Sequence, residues 1–290
     1  MRNPAEFILL ALIWGASFAL YRIAVPAFGL PLTVGLRLLL AASALYLVFG
    51  SPLRGVARAQ RGHVVLWLAI AGGCSTALPF VLFAETVMRS SVGFAAILNA
   101  TSPLFSALLA ALVWRESLSG SRLCGLVAGF AGVALLVSQR EAGDVRFGLD
   151  AVALGLVGAA AYGLSVQWVR RRLGMLHSSA VATGFSVAGA ALLLPWAVSS
   201  LPPEFPPWPA VLAVVVLGLV STALANALYF RLLGRIGATP ALTVTFLIPP
   251  FAMLWGHVLF DEVPTLAMLG STAIILAGTA LSLGWKGRVR

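Results

Sequence analysis

The chain alternates between long apolar stretches and short segments rich in charged and turn residues. Residues 90–114 and 236–260, for example, contain no Asp, Glu, Lys or Arg. About 20 apolar helical residues cross the hydrocarbon layer of a membrane, whereas an open strand would leave its peptide groups unpaired there. The pattern therefore predicts an all-α integral membrane protein with ten transmembrane helices, over residues 5–25, 31–50, 62–84, 91–113, 121–138, 148–169, 178–198, 208–230, 238–259 and 264–285.

The composition agrees with a membrane protein and excludes a water-soluble globular enzyme. Hydrophobic residues make up 60% of the 290 residues and charged residues 10%, with a mean hydropathy of +1.01. A soluble domain carries about 25% charged residues. Cys74 and Cys124 lie in separate apolar stretches without metal-binding spacing, so we expect no disulfide framework, no metal and no cofactor.

The basic residues predict the orientation in the membrane. The formal charge of +10 comes mainly from single basic residues at the ends of apolar stretches, which is typical of topology signals rather than of nucleic-acid binding. With the N-terminus in the cytoplasm, fourteen Lys and Arg residues fall on the inner side and four on the outer side. This asymmetry predicts that both termini are cytoplasmic and that the protein lies in the inner membrane.

The two halves of the chain resemble each other in a fixed register. A shift of 146 residues superposes Glu116 on Glu262, and a shift of 148 superposes Arg22 on Arg170. Each half holds five predicted helices, and an odd number reverses the direction of the second copy. Two inverted five-helix repeats around a central cavity are the architecture of many secondary transporters; the alternative is an old duplication in a membrane protein of another kind. The predicted repeats span residues 1–138 and 148–285.

The chain has an early motif, Trp14-Gly15-Ala16-Ser17-Phe18, ten predicted helices, and a glutamate after the fourth helix of each repeat. In these features it resembles the EamA-type permeases of the drug/metabolite transporter superfamily. The resemblance covers nearly the whole chain and is strongest to amino-acid and metabolite exporters, including those for aromatic amino acids. It implies a non-enzymatic carrier that works by alternating access on an amino acid or a related metabolite. A multidrug or metabolite permease with proton coupling, a channel or non-transporting subunit, and a polytopic membrane enzyme are the alternatives.

Aromatic and small polar side chains inside the predicted helices are the candidates for a substrate site. Trp14, Ser17 and Phe18 lie on one face of helix 1 together with Tyr21, and this mixture suits an amphipathic ligand. Helix packing, or for Tyr21 a place at the membrane interface, is the other interpretation. The predicted substrate-binding residues are Trp14, Ser17, Phe18, Phe80, Phe83, Asn99, Tyr162, Ser165, Asn226, Tyr229 and Thr245. The amides among them must bond either a neighbouring helix or a substrate.

The charged residues near the predicted helices suggest structural roles. Arg37, the one intramembrane charge, is placed in the outer third of helix 2, where it either snorkels to the interface or pairs with Glu85. Because no Asp, Glu or His is predicted at mid-membrane, we expect an uncharged cavity and transport by uniport or exchange. Glu116 and Glu262 are expected to be stabilised by the N-termini of helices 5 and 10, just after them.

Small residues predict one close helix contact. Gly125 and Gly129 form a G-x-x-x-G pair on helix 5, and helix 10 is rich in small residues as well, including Gly270 and Gly278. Such surfaces allow helix backbones to approach closely. The contact is either between helices 5 and 10 or between two copies in a homodimer.

Overall fold

The computed structural model describes residues 4–138, 148–236, 241 and 243–283. Within these ranges the chain forms helices joined by short connections, with no strand. The helices are labelled α1 to α10 and are Pro4–Phe28, Leu30–Phe49, Arg58–Arg89, Val92–Trp114, Gly120–Ser138, Leu149–Arg172, Ser178–Ser199, Trp208–Tyr229, Thr243–Phe260 and Leu266–Ser282. Helix α8 continues to Ile236.

The helices of the described ranges have the length and surface of membrane spans. Nine of them are long and apolar enough to cross a membrane, and Leu266–Ser282 is apolar but shorter, with 17 residues. Large apolar side chains cover their outer faces; Leu47 is 85% exposed and Leu112 69%. Lipid accommodates such a surface and water does not. The prediction of an all-helical, multi-pass membrane protein is confirmed.

Equivalent helices of the two halves pack in equivalent ways. Helix α1 packs against α8 and α9, and α6 packs against α3 and α4. Helix α2 packs against α7, and α5 packs against α10. Exchanging each helix with the one five positions later therefore reproduces these pairs.

The small residues of α5 and α10 form the close contact that the sequence predicts. A Cβ atom built on Gly278 would lie 2.5 Å from the Gly129 backbone nitrogen and 2.6 Å from the Gly125 carbonyl oxygen. Only hydrogen fits into such a space. Of the two predicted uses of this surface, the structure shows the contact between helices 5 and 10.

Two helices contain a wide π turn at corresponding positions. In α3 the turn is Gly73–Ala77, and in α8 it is Val216–Leu224; the shift of 146 residues superposes the first on the second. Within the second turn, Thr222 Oγ1 donates to the Leu217 carbonyl at 2.8 Å. Such turns widen a helix locally and often occur at functional sites.

Helix α4 is interrupted between Asn99 and Ser102, just before Pro103. Proline removes a backbone donor and frees carbonyl groups. Here hydroxyl groups donate hydrogen bonds to two carbonyl groups: Thr101 Oγ1 donates to Leu98 O at 2.6 Å, and Ser102 Oγ donates to Asn99 O at 2.7 Å. The interruption is therefore a kink with satisfied carbonyls.

Candidate functional site

A cavity of about 840 Å³ lies between the two halves of the bundle, within the range of small-molecule sites, about 300–1,000 Å³. It extends from the middle of the helices to the end where α6 finishes and α7 begins. This open end, called the mouth, is lined by residues that include Glu116, Arg122, Arg170, Ser178 and Ser282.

The opposite end of the cavity is closed by packed side chains. Phe18 and Phe83 form a cluster there with Val92 and Ile248, all nearly inaccessible to solvent. Val92 in this cluster and Arg22 and Glu262 beyond it do not line the cavity, whereas the residues of the mouth do.

Ten of the eleven predicted substrate-binding residues line the cavity, and Ser165 is the exception. Ser165 is 1% exposed, and its hydroxyl donates to the Ala71 carbonyl at 2.9 Å. It joins α6 to α3 and does not line the cavity in this structure. The shift of 148 residues superposes Ser17 on Ser165, but the Ser165 hydroxyl faces a neighbouring helix.

Aromatic rings from several helices line the cavity and are called the aromatic wall. The ring centroids of Trp14 and Tyr229 are 5.5 Å apart, those of Phe18 and Phe83 are 6.1 Å apart, and Phe83 stacks on Tyr162 at 5.9 Å with an angle of 23°. These separations are typical of favourable aromatic pairs. The wall offers an apolar aromatic surface to a ligand.

Arg37 lines the cavity and corrects two expectations. It is 4% exposed, so it does not snorkel, and Nη1 donates to the Tyr21 hydroxyl at 2.6 Å while Nε donates to Thr222 Oγ1 at 2.8 Å. Its guanidinium carbon lies 3.9 Å from the centre of the Phe80 ring. The face of α2 that carries Arg37 packs against the π turn of α8. The cavity is therefore not uncharged.

The expected pair between Arg37 and Glu85 is wrong as well. Glu85 accepts a hydrogen bond from Arg89 Nε at 2.6 Å, one helical turn away, and Arg89 also pairs with Asp150. Local spacing on α3 decides this pairing. Tyr21 is 2% exposed, so it is not a residue of the membrane interface.

Several polar side chains of the cavity are not among the predicted residues. Ser186 and Ser221 line it beside Ser17, and their three buried hydroxyls have no hydrogen-bond partner among the described residues. Gln167 donates to Ser106 Oγ at 2.8 Å. A lone Gln inside an apolar span is a signal that could have found one of these positions; single serines in such spans give none.

Glu262 lies at the end of the bundle opposite the mouth. It pairs with Arg22 and accepts a hydrogen bond from the backbone nitrogen of Val92 at 3.0 Å. Glu262 therefore lies at a helix N-terminus, as expected, but this helix is α4 and not α10. The first turn of α10 is capped by Thr265. Burial raises the pKa of the Glu262 carboxyl, while the Val92 amide and the nearby Arg22 act in the opposite direction.

Glu116 occupies the equivalent place at the mouth. It pairs with Arg170 and Arg171 at the end of α6. The repeat shifts superpose Arg22 on Arg170 and Glu116 on Glu262. Each half thus contributes an arginine to the glutamate of the other half, once at the closed end and once at the mouth.

The described residues contain no group of three or more His, Cys, Asp or Glu side chains that could hold a metal ion. Cys74 and Cys124 are both free thiols.

Similarity to known proteins agrees with this architecture. The chain is 26% identical over 276 residues to a probable terminal-alkyne amino-acid exporter of Streptantibioticus cattleyicolor, covering 94% of this chain and 91% of that protein. It is 24% identical over 291 residues to a probable amino-acid metabolite efflux pump of Salmonella typhimurium, covering 95% and 93%. A crystal structure at 20% identity superposes with a TM-score of 0.64, over 95% of this chain and 94% of the other, and shares the fold.

The family comparison covers almost the entire chain. The sequence model of the EamA-like transporter family matches residues 6–138 and, a second time, residues 149–284. The apolar helices and the similarity to bacterial exporters place the protein in the inner membrane as a multi-pass protein. The chain belongs to the EamA-like transporter family.

Proposed function

We propose that this protein is a secondary transporter that exports neutral or aromatic amino acids, or closely related small metabolites, by alternating access. The observation that carries the proposal is the cavity, which is large enough for such a molecule, lined by an aromatic wall with a few polar groups, and open at one end only. Relatives named as amino-acid exporter and efflux pump support the choice of substrate class.

The proposal includes two inverted repeats, residues 1–138 and 148–285, with both termini in the cytoplasm. The double family match, the equivalent helix packing and the crossed arginine–glutamate pairs support the repeats. The basic residues at the mouth support a cytoplasmic mouth. In this arrangement the structure is an inward-open state, and Arg22–Glu262 holds the outer end shut.

Alternating access then requires the outer end to open and the mouth to close. Opening of the outer end breaks the contacts of Glu262 with Arg22 and with the Val92 amide, whereas the pair of Glu116 with its arginines is already formed in the inward-open state. Closure of the mouth therefore needs further contacts between the halves, in a second discrete arrangement.

Counterflow in proteoliposomes tests the transport activity. Vesicles loaded with one unlabelled amino acid should accumulate the same labelled amino acid transiently, and a screen of the twenty amino acids identifies the preferred ones. A channel gives no counterflow. Absence of counterflow for all twenty would contradict the proposed substrate class.

The same vesicles test the coupling. We propose uniport or exchange, so an imposed pH gradient should leave the flux unchanged. Strong acceleration by the gradient would favour the alternative, a proton-coupled permease.

The aromatic wall provides the site test. Trp14→Ala and Tyr162→Ala each remove one ring that lines the cavity and should slow counterflow at an unchanged amount of folded protein. Phe205→Ala is the matched control, because Phe205 is 87% exposed in the connection before α8 and lies outside the cavity. Wild-type rates in both cavity variants would contradict the site.

A further inference from the structure

Arg37 is a buried charge that has no acidic partner among the described residues. The side chain is 4% exposed within the bundle, and a guanidinium stays protonated in proteins. The described acidic side chains lie in loops or near helix ends: Glu6, Glu85, Glu116, Asp150, Glu204, Asp261 and Glu262. None of them forms an ion pair with Arg37. An unpaired charge inside a membrane bundle is costly and marks a site for a substrate or an ion.

The surroundings of Arg37 hold it in one orientation without neutralising it. Tyr21 and Thr222 take hydrogen bonds from Nη1 and Nε, and the Phe80 ring lies against the guanidinium plane. The remaining nitrogen, Nη2, has no partner among the described residues. Arg37, its two acceptors and Phe80 all line the cavity. The geometry thus presents a fixed donor to whatever occupies the cavity.

The corresponding position in the other half of the molecule carries no charge. The shift of 148 residues superposes Arg37 on Phe185, and the shift of 146 superposes Thr222 on Thr76. Thr76 Oγ1 donates to the Phe185 backbone carbonyl at 3.1 Å, whereas Thr222 Oγ1 accepts from the Arg37 side chain. The equivalent helices thus pack together through a different hydrogen bond and without a cation, so their packing does not require one.

Three buried serine hydroxyls also line the cavity. The hydroxyls of Ser17, Ser186 and Ser221 are buried, line the cavity and have no hydrogen-bond partner in the described part of the chain. Buried polar groups are nearly always bonded. Hydroxyl donors and one cation match the oxygens of a carboxylate.

We propose that Arg37 binds the carboxylate of the transported molecule, and that the substrates are amphipathic monocarboxylates whose apolar part lies on the aromatic wall. This inference rests on the proposed function and narrows it: a carboxylate is required, and an amine or a neutral amide is a poor substitute.

Paired probes test the requirement on the purified full-length protein. Ligand-induced thermal stabilisation is measured as a function of concentration for L-phenylalanine and L-phenylalaninamide, and for 3-phenylpropionate and 3-phenylpropionamide. The wild type should bind the carboxylate of each pair at least about tenfold more tightly than the amide, since charge-assisted hydrogen bonds exceed neutral ones by this order. In Arg37→Gln the ratio should fall to about one.

Three further variants separate recognition from stability. Arg37→Lys keeps the charge and should retain part of the ratio. Thr222→Val leaves the charge but removes one hydrogen-bond partner of Arg37, so it should lower the ratio less than Arg37→Gln does. If Arg37→Gln does not fold, Thr222→Val takes its place in the test. Arg89→Gln removes an arginine outside the cavity, paired with Glu85 and Asp150, and should keep the wild-type ratio.

The outcomes distinguish this inference from the proposed function. Equal binding of acid and amide by the wild type, or an unchanged ratio in Arg37→Gln with lowered thermal stability, overturns the inference, and amino-acid counterflow would still support the transport proposal. Arg37-dependent binding of 3-phenylpropionate without amino-acid counterflow supports the inference and overturns amino acids as the cargo.

Discussion

The contact between α5 and α10 allows a sharp test of the packing between the two halves. Gly278→Ala adds one methyl group where Gly129 N, Gly125 O and Gly129 Cα lie 2.5, 2.6 and 2.7 Å from the new Cβ position. These neighbours are backbone atoms and cannot rotate away. Gly270→Ala is the matched control on the same helix, because no atom lies within 4 Å of its Cβ position.

The magnitudes follow from these distances. Overpacking of a core costs about 1–3 kcal/mol, and rigid backbone neighbours favour the upper part of that range. Alanine gains up to about 1 kcal/mol over glycine in helix propensity. Gly278→Ala should therefore lower the free energy of unfolding by about 2 kcal/mol, whereas Gly270→Ala should leave it unchanged or raise it.

Denaturant-induced unfolding in mixed micelles, followed by tryptophan fluorescence, measures both variants against the wild type. The two variants should differ by about 3 kcal/mol, which is the packing loss alone, because the propensity gain of up to about 1 kcal/mol is common to both. Equal unfolding midpoints for Gly278→Ala and Gly270→Ala would refute the close contact and the reasoning from it.

Three further predictions concern single polar groups. Ser17→Ala should change counterflow rates. Ser165→Ala removes the hydroxyl that bonds Ala71, so it should cost about 0.5–1.5 kcal/mol of stability at an unchanged rate per folded molecule. The reverse result would contradict the positions given to both serines. Glu262→Ala leaves the Val92 amide unsatisfied and should lower the free energy of unfolding by about 1–3 kcal/mol. Glu262→Gln keeps a hydrogen-bond acceptor and should lower it less, as measured by thermal unfolding. Burial raises the pKa of Glu262 in the folded protein, so the folded state binds its proton more tightly than the unfolded state. The stability of the wild type relative to Glu262→Gln should therefore fall as pH rises from about 4.3 through the raised pKa, and unfolding curves with the same pH dependence in both proteins would contradict this.

Hydrophobicity alone predicted most of the helices. Residues 121–138 and 178–198 were expected as spans, and the helices are Gly120–Ser138 and Ser178–Ser199. The agreement follows from the physics of lipid, because an apolar stretch of this length has one stable conformation there. The third helix extends beyond the expected 62–84, since charged residues such as Glu85 and Arg89 are tolerated near a helix end where they find partners.

The environments of the charged residues could not be predicted in the same way. The partners of Arg37 come from α1 and α8, and which faces of these helices meet is a tertiary property that no local pattern fixes. The π turn that positions Thr222 has no clear sequence signal either. Glu262 caps α4 although 170 residues separate it from Val92.

The repeat carries further information about the charged residues. The repeat shifts make counterparts of Glu116 and Glu262, and of Arg22 and Arg170, whereas the effect of a helix N-terminus is expected within one half. The structure joins them across the halves. Inverted repeats often contact each other through equivalent positions, so crossed pairs of opposite charge are a signal that sequence analysis can test.

Access to the cavity from both sides of the membrane tests the transport mechanism most directly. Asn99 is half-buried and lines the cavity, so Asn99→Cys, in a protein with Cys74 and Cys124 replaced by alanine, reports its exposure. A membrane-impermeant maleimide should label this thiol from the cytoplasmic side and, in a second population, from the outer side, and a transported amino acid should change the ratio of the two rates. Labelling from one side only, under every substrate condition, would contradict alternating access.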